Sequence, residues 1–247
     1  MINEETRRKL REMSLEDMIK ILDIQDTDIA YSSLPFDERI KIAVDYTYQE
    51  KYNDKVKRLI KQAKFRIPNA DINDVYYPER KLDKPLLLEL GTCQFVSSNS
   101  NIVFQGFTGS GKSFLACCIG KQACKQGVRT RYIRIPDLLE LRDEAATVKQ
   151  GKVKLLNIFS SYRVLVLDEW LLGELSDEDL HFLFELIERR YDATSTIFCT
   201  QYKLESWHAR LGGGILADSI MDRIIHRAVS VYSGDINMRE LLAKKKI

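Results

Sequence analysis

What this chain lacks narrows its class. No apolar run approaches the ~20 residues that cross a bilayer, and the opening Met1-Ile-Asn-Glu-Glu-Thr-Arg-Arg8 has none of the apolar stretch of a signal peptide. No membrane partner is expected, and the expected location is cytoplasmic. Neither sign of charge dominates: Lys and Arg total 38, Asp and Glu 36, and the net charge is +2, so bulk charge announces no nucleic-acid partner. There are only three histidines, and the five cysteines, at positions 93, 117, 118, 124 and 199, form no C-x-x-C pair. Their odd number and apolar surroundings point to reduced, buried thiols rather than disulfides or a structural zinc site. Glycine is missing from the first 66 residues, where Pro35 is the one proline.

Against that background one segment carries most of the information. Gly106, Phe107, Thr108, Gly109, Ser110, Gly111, Lys112 and Ser113 fit G-x-x-x-x-G-K-[ST], a phosphate-binding loop. The glycines let successive backbone N–H groups turn toward an anion. Lys112 supplies a point charge for the β- and γ-phosphates. Ser113 offers a hydroxyl to Mg²⁺, and the helix it opens favours phosphate at its N-terminus. The flanks agree with this reading. Asn101–Gln105 reads as a short apolar strand, and Phe114–Gln126 as a helix closed by Gly127. With Phe114, the loop is the expected nucleotide-binding segment.

A second element answers the first. Arg163-Val-Leu-Val-Leu-Asp168-Glu169 is a continuous apolar run ending in two carboxylates, as expected of a parallel strand buried on both faces. Ligands bind at the carboxyl ends of such strands. Asp168 is placed to hold Mg²⁺ and Glu169 to polarise the attacking water. Thr194–Gln201 is the next strand, and Thr200 or Gln201 at its end can sense the γ-phosphate. Arg223 and Arg227 are both candidates for an arginine finger reaching a neighbour's site. Two basic clusters, Lys55 to Arg66 and Lys149 to Lys154, are candidates for contacting DNA phosphates, although charge runs on helices are usually solvated faces.

The rest of the chain organises around these motifs. Residues 1–66 read as a small all-helical domain for DNA or partner binding. In it Ser14-Leu-Glu-Asp17 resembles a capping box, and Pro35 with Asp37 and Glu38 opens a long helix. Residues 67–100 read as a connector with a short helix at Leu86–Leu90. Residues 101–247 form the α/β core. There Arg129–Ile135 is a strand, Pro136 starts a helix, and 143–162 adds a second, partly basic helical piece. Ser176 caps another helix, and Arg227–Tyr232 is the last strand.

These motifs together resemble the IstB-like ATPases, helper proteins of bacterial insertion sequences within the AAA+ class that includes DnaC-type helicase loaders and DnaA. The similarity is carried by Gly106–Ala116, by Leu165-Val-Leu-Asp-Glu169, and by Leu183–Tyr191 with Ser195-Thr-Ile197. It extends to Trp207, to Ala217–His226, and to Gly234-Asp-Ile-Asn-Met-Arg239. Leu34–Arg39 and Ile60–Phe65 are similar to the helical domain of the transposition helpers. The chain departs from the family pattern at Phe107, where proline is common, at Trp170–Gly173, and at Cys199-Thr-Gln201, where Thr-Ser-Asn is usual.

The resemblance implies a P-loop AAA+ core, a parallel sheet flanked by helices and preceded by a small helical domain. It implies that ATP and Mg²⁺ are bound by Lys112, Ser113 and Asp168, that Glu169 is the base and Gln201 the sensor, and that Arg223 rather than Arg227 is the finger. It further implies a homo-oligomer with composite ATP sites on double-stranded DNA, and a transposase partner of the IstA type. The 143–162 piece corresponds to a helical element that faces DNA in initiator-type relatives. The alternative is a replicative helicase loader acting on single strands. A more distant one is a nucleotide-gated binding module with negligible hydrolysis.

Overall fold

The computed structural model describes residues 2–78 and 80–244. The chain divides into two compact units, Met1–Arg58 and Leu59–Ile247.

The first unit is helical: α1 (Glu4–Glu12), α2 (Glu16–Thr27), α3 (Ile29–Ser32) and most of α4 (Phe36–Ala63). Asn3 caps α1 by accepting the Thr6 N–H at 2.8 Å. The expected capping box at Ser14 does not form. Ser14 has φ 56°, and α2 starts after Leu15 with no side-chain cap. The residue is used instead to end α1. Its N–H donates to Arg11 O, and the Leu15 N–H donates to Leu10 O, the paired bonds of a Schellman turn. Arg7 ties α1 to α2 through Asp23 at 2.9 Å, and Gln25 Nε2 reaches Arg39 O on α4 at 2.8 Å.

Pro35 precedes α4, and Asp37 and Glu38 occupy its first turn. Ala43 and Thr47 are its buried residues within this unit, whereas Val44 and Tyr48 are exposed. The inward face is therefore one residue offset from the largest side chains. With Leu10, Ile19, Ile21 and Ala43 as its buried apolar residues, this unit has a small core. Each large aliphatic contributes only about 1.5–3 kcal/mol before ordering costs.

The second unit is built on a five-stranded sheet of β1 (Asn101–Gln105), β2 (Thr130–Arg134), β3 (Val164–Trp170), β4 (Ser195–Thr200) and β5 (Ala228–Tyr232). All neighbours are parallel, in the order β2-β3-β4-β1-β5. Alternation along each strand sends side chains to two separate cores. Ile102, Phe104, Val164, Val166 and Ile197 face one layer, with α5 (Lys84–Gly91), α6 (Gln94–Ser97) and α7 (Lys112–Lys125). Val103, Leu165, Leu167 and Phe198 face the other, with α8 (Ile135–Ala146), α9 (Gly151–Ser160), α10 (Asp177–Arg190), α11 (Trp207–Arg210) and α12 (Gly214–Ile225). A sheet covered on both faces explains why β3 and β4 read as unbroken apolar runs.

Residues 67–100 do more than connect. Ala70, Val75, Leu87, Leu90, Cys93, Phe95 and Val96 are all buried in the first layer. In the second layer Leu156 and Phe159 of α9 are buried, and α9 packs against α8 and α10. The capping box at Ser176 does form, with Asp179 as its second member. A short α13 (Met238–Lys244) ends the described chain. All five cysteines are free and buried, and among the described residues no helix is long and apolar enough to cross a membrane.

Candidate nucleotide-binding site

The strand order decides what can meet. β4 lies between β1 and β3, and all three run in the same direction. The loop after β1, the carboxylates of β3 and the end of β4 therefore share one edge of the sheet. The pairing of β3 with β4 slips there: Leu167 pairs Phe198, but Trp170 pairs Thr200. Asp168 and Glu169 thus stand opposite Cys199 alone, in a β-bulge, and Glu169 has φ 61°. A strained, non-glycine left-handed residue at the end of a buried strand re-aims its side chain.

Residues 106–113 link β1 to α7. Gly109 and Gly111 have φ near 91° and 94°, which a Cβ would strain. At Gly106 the constraint is space: a Cβ would lie 2.1 Å from Ser233 Oγ and 2.7 Å from Ser110 Oγ. Ser110 is fully buried and bonded to Ser233 at 2.6 Å, so its side chain shapes the loop. Among the described residues, the backbone N–H groups of Gly109, Gly111, Lys112 and Ser113 have no protein acceptor. Lys112 Nζ donates to the carbonyls of Gly106 and Phe107 at 2.7 and 2.8 Å. Burial holds its ammonium below the ordinary lysine range, against the opposing pull of Cys199 and Asp168.

A cavity of about 600 Å³ opens over this loop. Thr108, Gly109, Gly111, Lys112, Ser113 and Phe114 line it, together with Asp168, Glu169 and Gln201. Gly106, Phe107 and Ser110 are not in its lining. Asp168 is 2% exposed. One of its oxygens accepts the Tyr132 hydroxyl and the other the Glu169 N–H at 2.9 Å. Burial, with the Asp168 carboxylate beside it, pushes the Tyr132 phenol well above its ordinary value, so Tyr132 stays a donor. Gln201 Oε1 accepts from the Thr108 hydroxyl at 2.8 Å, whereas Thr200 is buried and caps the Tyr202 N–H.

The candidate finger residues lie elsewhere. Arg223 on α12 pairs with Glu188, donates to Ser219 O at 3.0 Å and sits over the Phe184 ring. Arg227 pairs with Asp192 at 2.9 Å. Neither lines the cavity of its own chain.

Several cavity residues were not legible as such. Arg66, the last cation of a run expected to face solvent or DNA, points at the carboxylates, 3.1 Å from Glu169 and 3.9 Å from Asp168. Arg80 is 1% exposed and donates to the carbonyls of Ser110, Ser233 and Tyr76, bracing the loop from behind. The Met238 N–H donates to Gly109 O at 2.9 Å, which brings Met238, Arg239 and Leu242 into the lining. The one sequence signal for this last contact was the Gly234–Arg239 pattern.

The donor set fits a nucleotide triphosphate with Mg²⁺. Unpaired amides and a half-buried ammonium suit phosphate oxygens. Among the described residues no cluster of three His, Cys, Asp or Glu forms a metal cage. The Asp168 carboxylate and the Ser113 hydroxyl, both in the lining, are oxygen donors that could hold the ion. Mg²⁺ is commonly held in this way, with substrate phosphates and water completing its shell.

A phosphate loop on β1, a bulged carboxylate pair on β3 and an intervening β4 in an all-parallel sheet define a P-loop domain of the AAA+ class. The fold of DnaI agrees with a TM-score of 0.58, at 18% identity over 74% of this chain and 100% of that one. The DnaC helicase loader superposes with a TM-score of 0.55, at 25% identity over 66% and 96%. AMPPCP-bound DnaA from Aquifex aeolicus gives 0.57, at 18% identity over 72% and 54%. The profile of the IstB-like ATP binding protein family matches residues 8–246, and the chain belongs to that family. Relatives include an IS1162 protein of Pseudomonas fluorescens, named as ATP-binding, which is 34% identical over 81% of this chain and 87% of its own. An insertion-sequence protein of Sinorhizobium fredii, also named as ATP-binding, is 29% identical over 92% and 93%.

Proposed function

We propose that this protein is an ATPase that assembles on double-stranded DNA and helps a partner transposase use that DNA as a target. The observation that carries the reading is the meeting of Lys112, Asp168, Glu169 and Gln201 in one cavity, in a member of a family whose relatives are named for insertion sequences.

Bound ATP brings the γ-phosphoryl group, and Mg²⁺, when bound, would supply charge to offset it; the residues do the rest. Lys112 leaves its loop carbonyls for the phosphates, and Ser113 and Asp168 would hold the metal. Glu169 accepts the proton of the attacking water, and Gln201 orients that water. Arg223 acts on the site of an adjacent copy, which makes the sites composite. ATP then favours assembly because it binds best where two copies meet. The likeness to the DnaC helicase loader favours a second reading, in which the partner is a replicative helicase and the DNA is single-stranded.

The test is size-exclusion chromatography with light scattering, in ATP-Mg²⁺ or ADP, with a ~50 base-pair duplex or the matching single strand, whose phosphates supply the electrostatic contacts. A large assembly on duplex that requires ATP, and that Glu169→Gln retains while losing turnover, supports the proposal. Preference for the single strand moves the reading to a helicase loader. A monomer under every condition removes the composite site.

A further inference from the structure

We propose that Arg66 restrains Glu169, so that the segment just beyond α4 controls when the carboxylate can take a proton from water. This rests on the reading of Glu169 as the hydrolytic base.

The geometry is specific. Arg66 Nη1 donates to Glu169 Oε1 at 3.1 Å and lies 3.9 Å from Asp168 Oδ2. Arg134 Nη1 stands 3.7 Å from the other Glu169 oxygen, beyond hydrogen-bonding range, and its Nε and Nη2 are committed to Asp137. Of the two cations, Arg66 therefore makes the directional bond. A carboxylate oxygen that accepts from a guanidinium is engaged on that side and is drawn toward the cation. For Glu169 to orient a water at the phosphate loop, that bond must break or turn aside.

Arg66 is also well placed to be moved. Its side chain is 44% exposed, against 21% for Glu169, so the pair lies at the cavity mouth, where an ion pair is worth little and is readily exchanged. Lys64, with φ 53°, turns the chain between the end of α4 and Arg66. α4 runs through the boundary between the two compact units, so the restraint is covalently continuous with the helical unit. A ligand that displaces this segment frees Glu169 without touching the phosphate loop.

Two measurements test the proposal, one of them without nucleotide. Thermal melting of the wild type, Arg66→Ala, Glu169→Gln and the double variant should give non-additive shifts, because either single change already breaks the pair. Strictly additive shifts would overturn it. Phosphate release at saturating ATP-Mg²⁺ should be roughly threefold to fivefold faster in Arg66→Ala, the scale of an exposed ion pair. KM should stay within twofold, and Arg66→Lys, which keeps the charge, should fall between the two. An Arg66→Ala rate at or below wild type sinks the restraint alone. Absence of turnover in both the wild type and Arg66→Ala sinks the hydrolytic reading, and the restraint with it.

Discussion

The Thr108 hydroxyl donates to the Gln201 amide oxygen at 2.8 Å, joining the tip of the phosphate loop to the end of β4. Gln201 stands where the family pattern has asparagine and is one methylene longer. The bond to Thr108 ties the residue proposed as the γ-phosphate sensor to the phosphate loop. Gln201→Ala is expected to lower turnover about 10-fold or more, as loss of one positioned hydrogen bond does, while nucleotide affinity changes by less. Steady-state phosphate release beside a binding titration checks this. Equal losses in both would assign Gln201 to simple binding.

Arg223 pairs with Glu188 and lies outside the cavity of its own chain. If it completes a neighbour's site, mixing Arg223→Ala with Lys112→Ala protein should restore part of the activity that each lacks. Some interfaces then combine an intact loop with an intact finger. No recovery at any ratio would return Arg223 to a surface ion pair.

Tyr132 fixes the carboxylate expected to hold the metal. Tyr132→Phe removes that bond and leaves Asp168 free to turn. The Mg²⁺ concentration for half-maximal turnover should rise about 10-fold, a usual cost of losing a partner behind a ligand. An unchanged magnesium requirement would show that the Glu169 N–H suffices to orient Asp168.

Arg80 carries a buried guanidinium whose bonds among the described residues go to carbonyl oxygens. Burial holds its pKa below the ordinary arginine value. Arg80→Met would leave the carbonyls of Ser110 and Ser233 unsatisfied, so a loss of about 2–3 kcal/mol in chemical denaturation is expected. Weaker nucleotide binding should accompany it, because the loop loses its brace.

Burial pushes the thiols of Cys93, Cys117 and Cys124 up to about 11 and that of Cys118 to about 12. In the folded protein they remain protonated where free thiols ionise. At pH 8 a thiol reagent should therefore label the native protein very slowly, and all five cysteines once it is unfolded. The same shifts set a stability trend. The unfolded chain loses thiol protons near pH 9 while the folded chain keeps them, so stability is full below that pH and falls as pH rises from about 9 toward 11. A midpoint of urea denaturation that stays flat over this range would contradict the burial.

The phosphate loop was legible because its chemistry is local: glycines, lysine and serine at fixed spacing need no distant partner to be read. Asp168 and Glu169 were legible only because their apolar run follows a phosphate loop; alone, such a pair reads as the start of a solvated loop. What local pattern does not contain is strand order. Nothing in the sequence of β4 says that it lies between β1 and β3, yet that position brings Gln201 to Thr108. Arg66 was misplaced for a related reason: in a run of cations the sequence does not show which one has a partner far along the chain. At Ser14 two local solutions competed, and ending α1 prevailed over starting α2. The final helix, α13, is short and has no buried residue to announce it; it is docked by a backbone bond to Gly109.

β5 pairs with β1, and Ser233 reaches back to Gln105 across a sequence separation of 128 residues while also bonding Ser110. The order of synthesis therefore matters. A chain leaving the ribosome exposes its glycine-rich loop long before the strand that braces it has been made, and at ~5–20 residues per second that interval lasts several seconds. During it β1 lacks β5, and until β4 has been made it lacks both neighbours, and the Ser110 side chain has no Ser233 to bond. A nascent chain stalled before Ala228 should carry the whole phosphate-binding motif and still fail to retain nucleotide, so capacity to bind ATP marks a chain whose translation has passed β5.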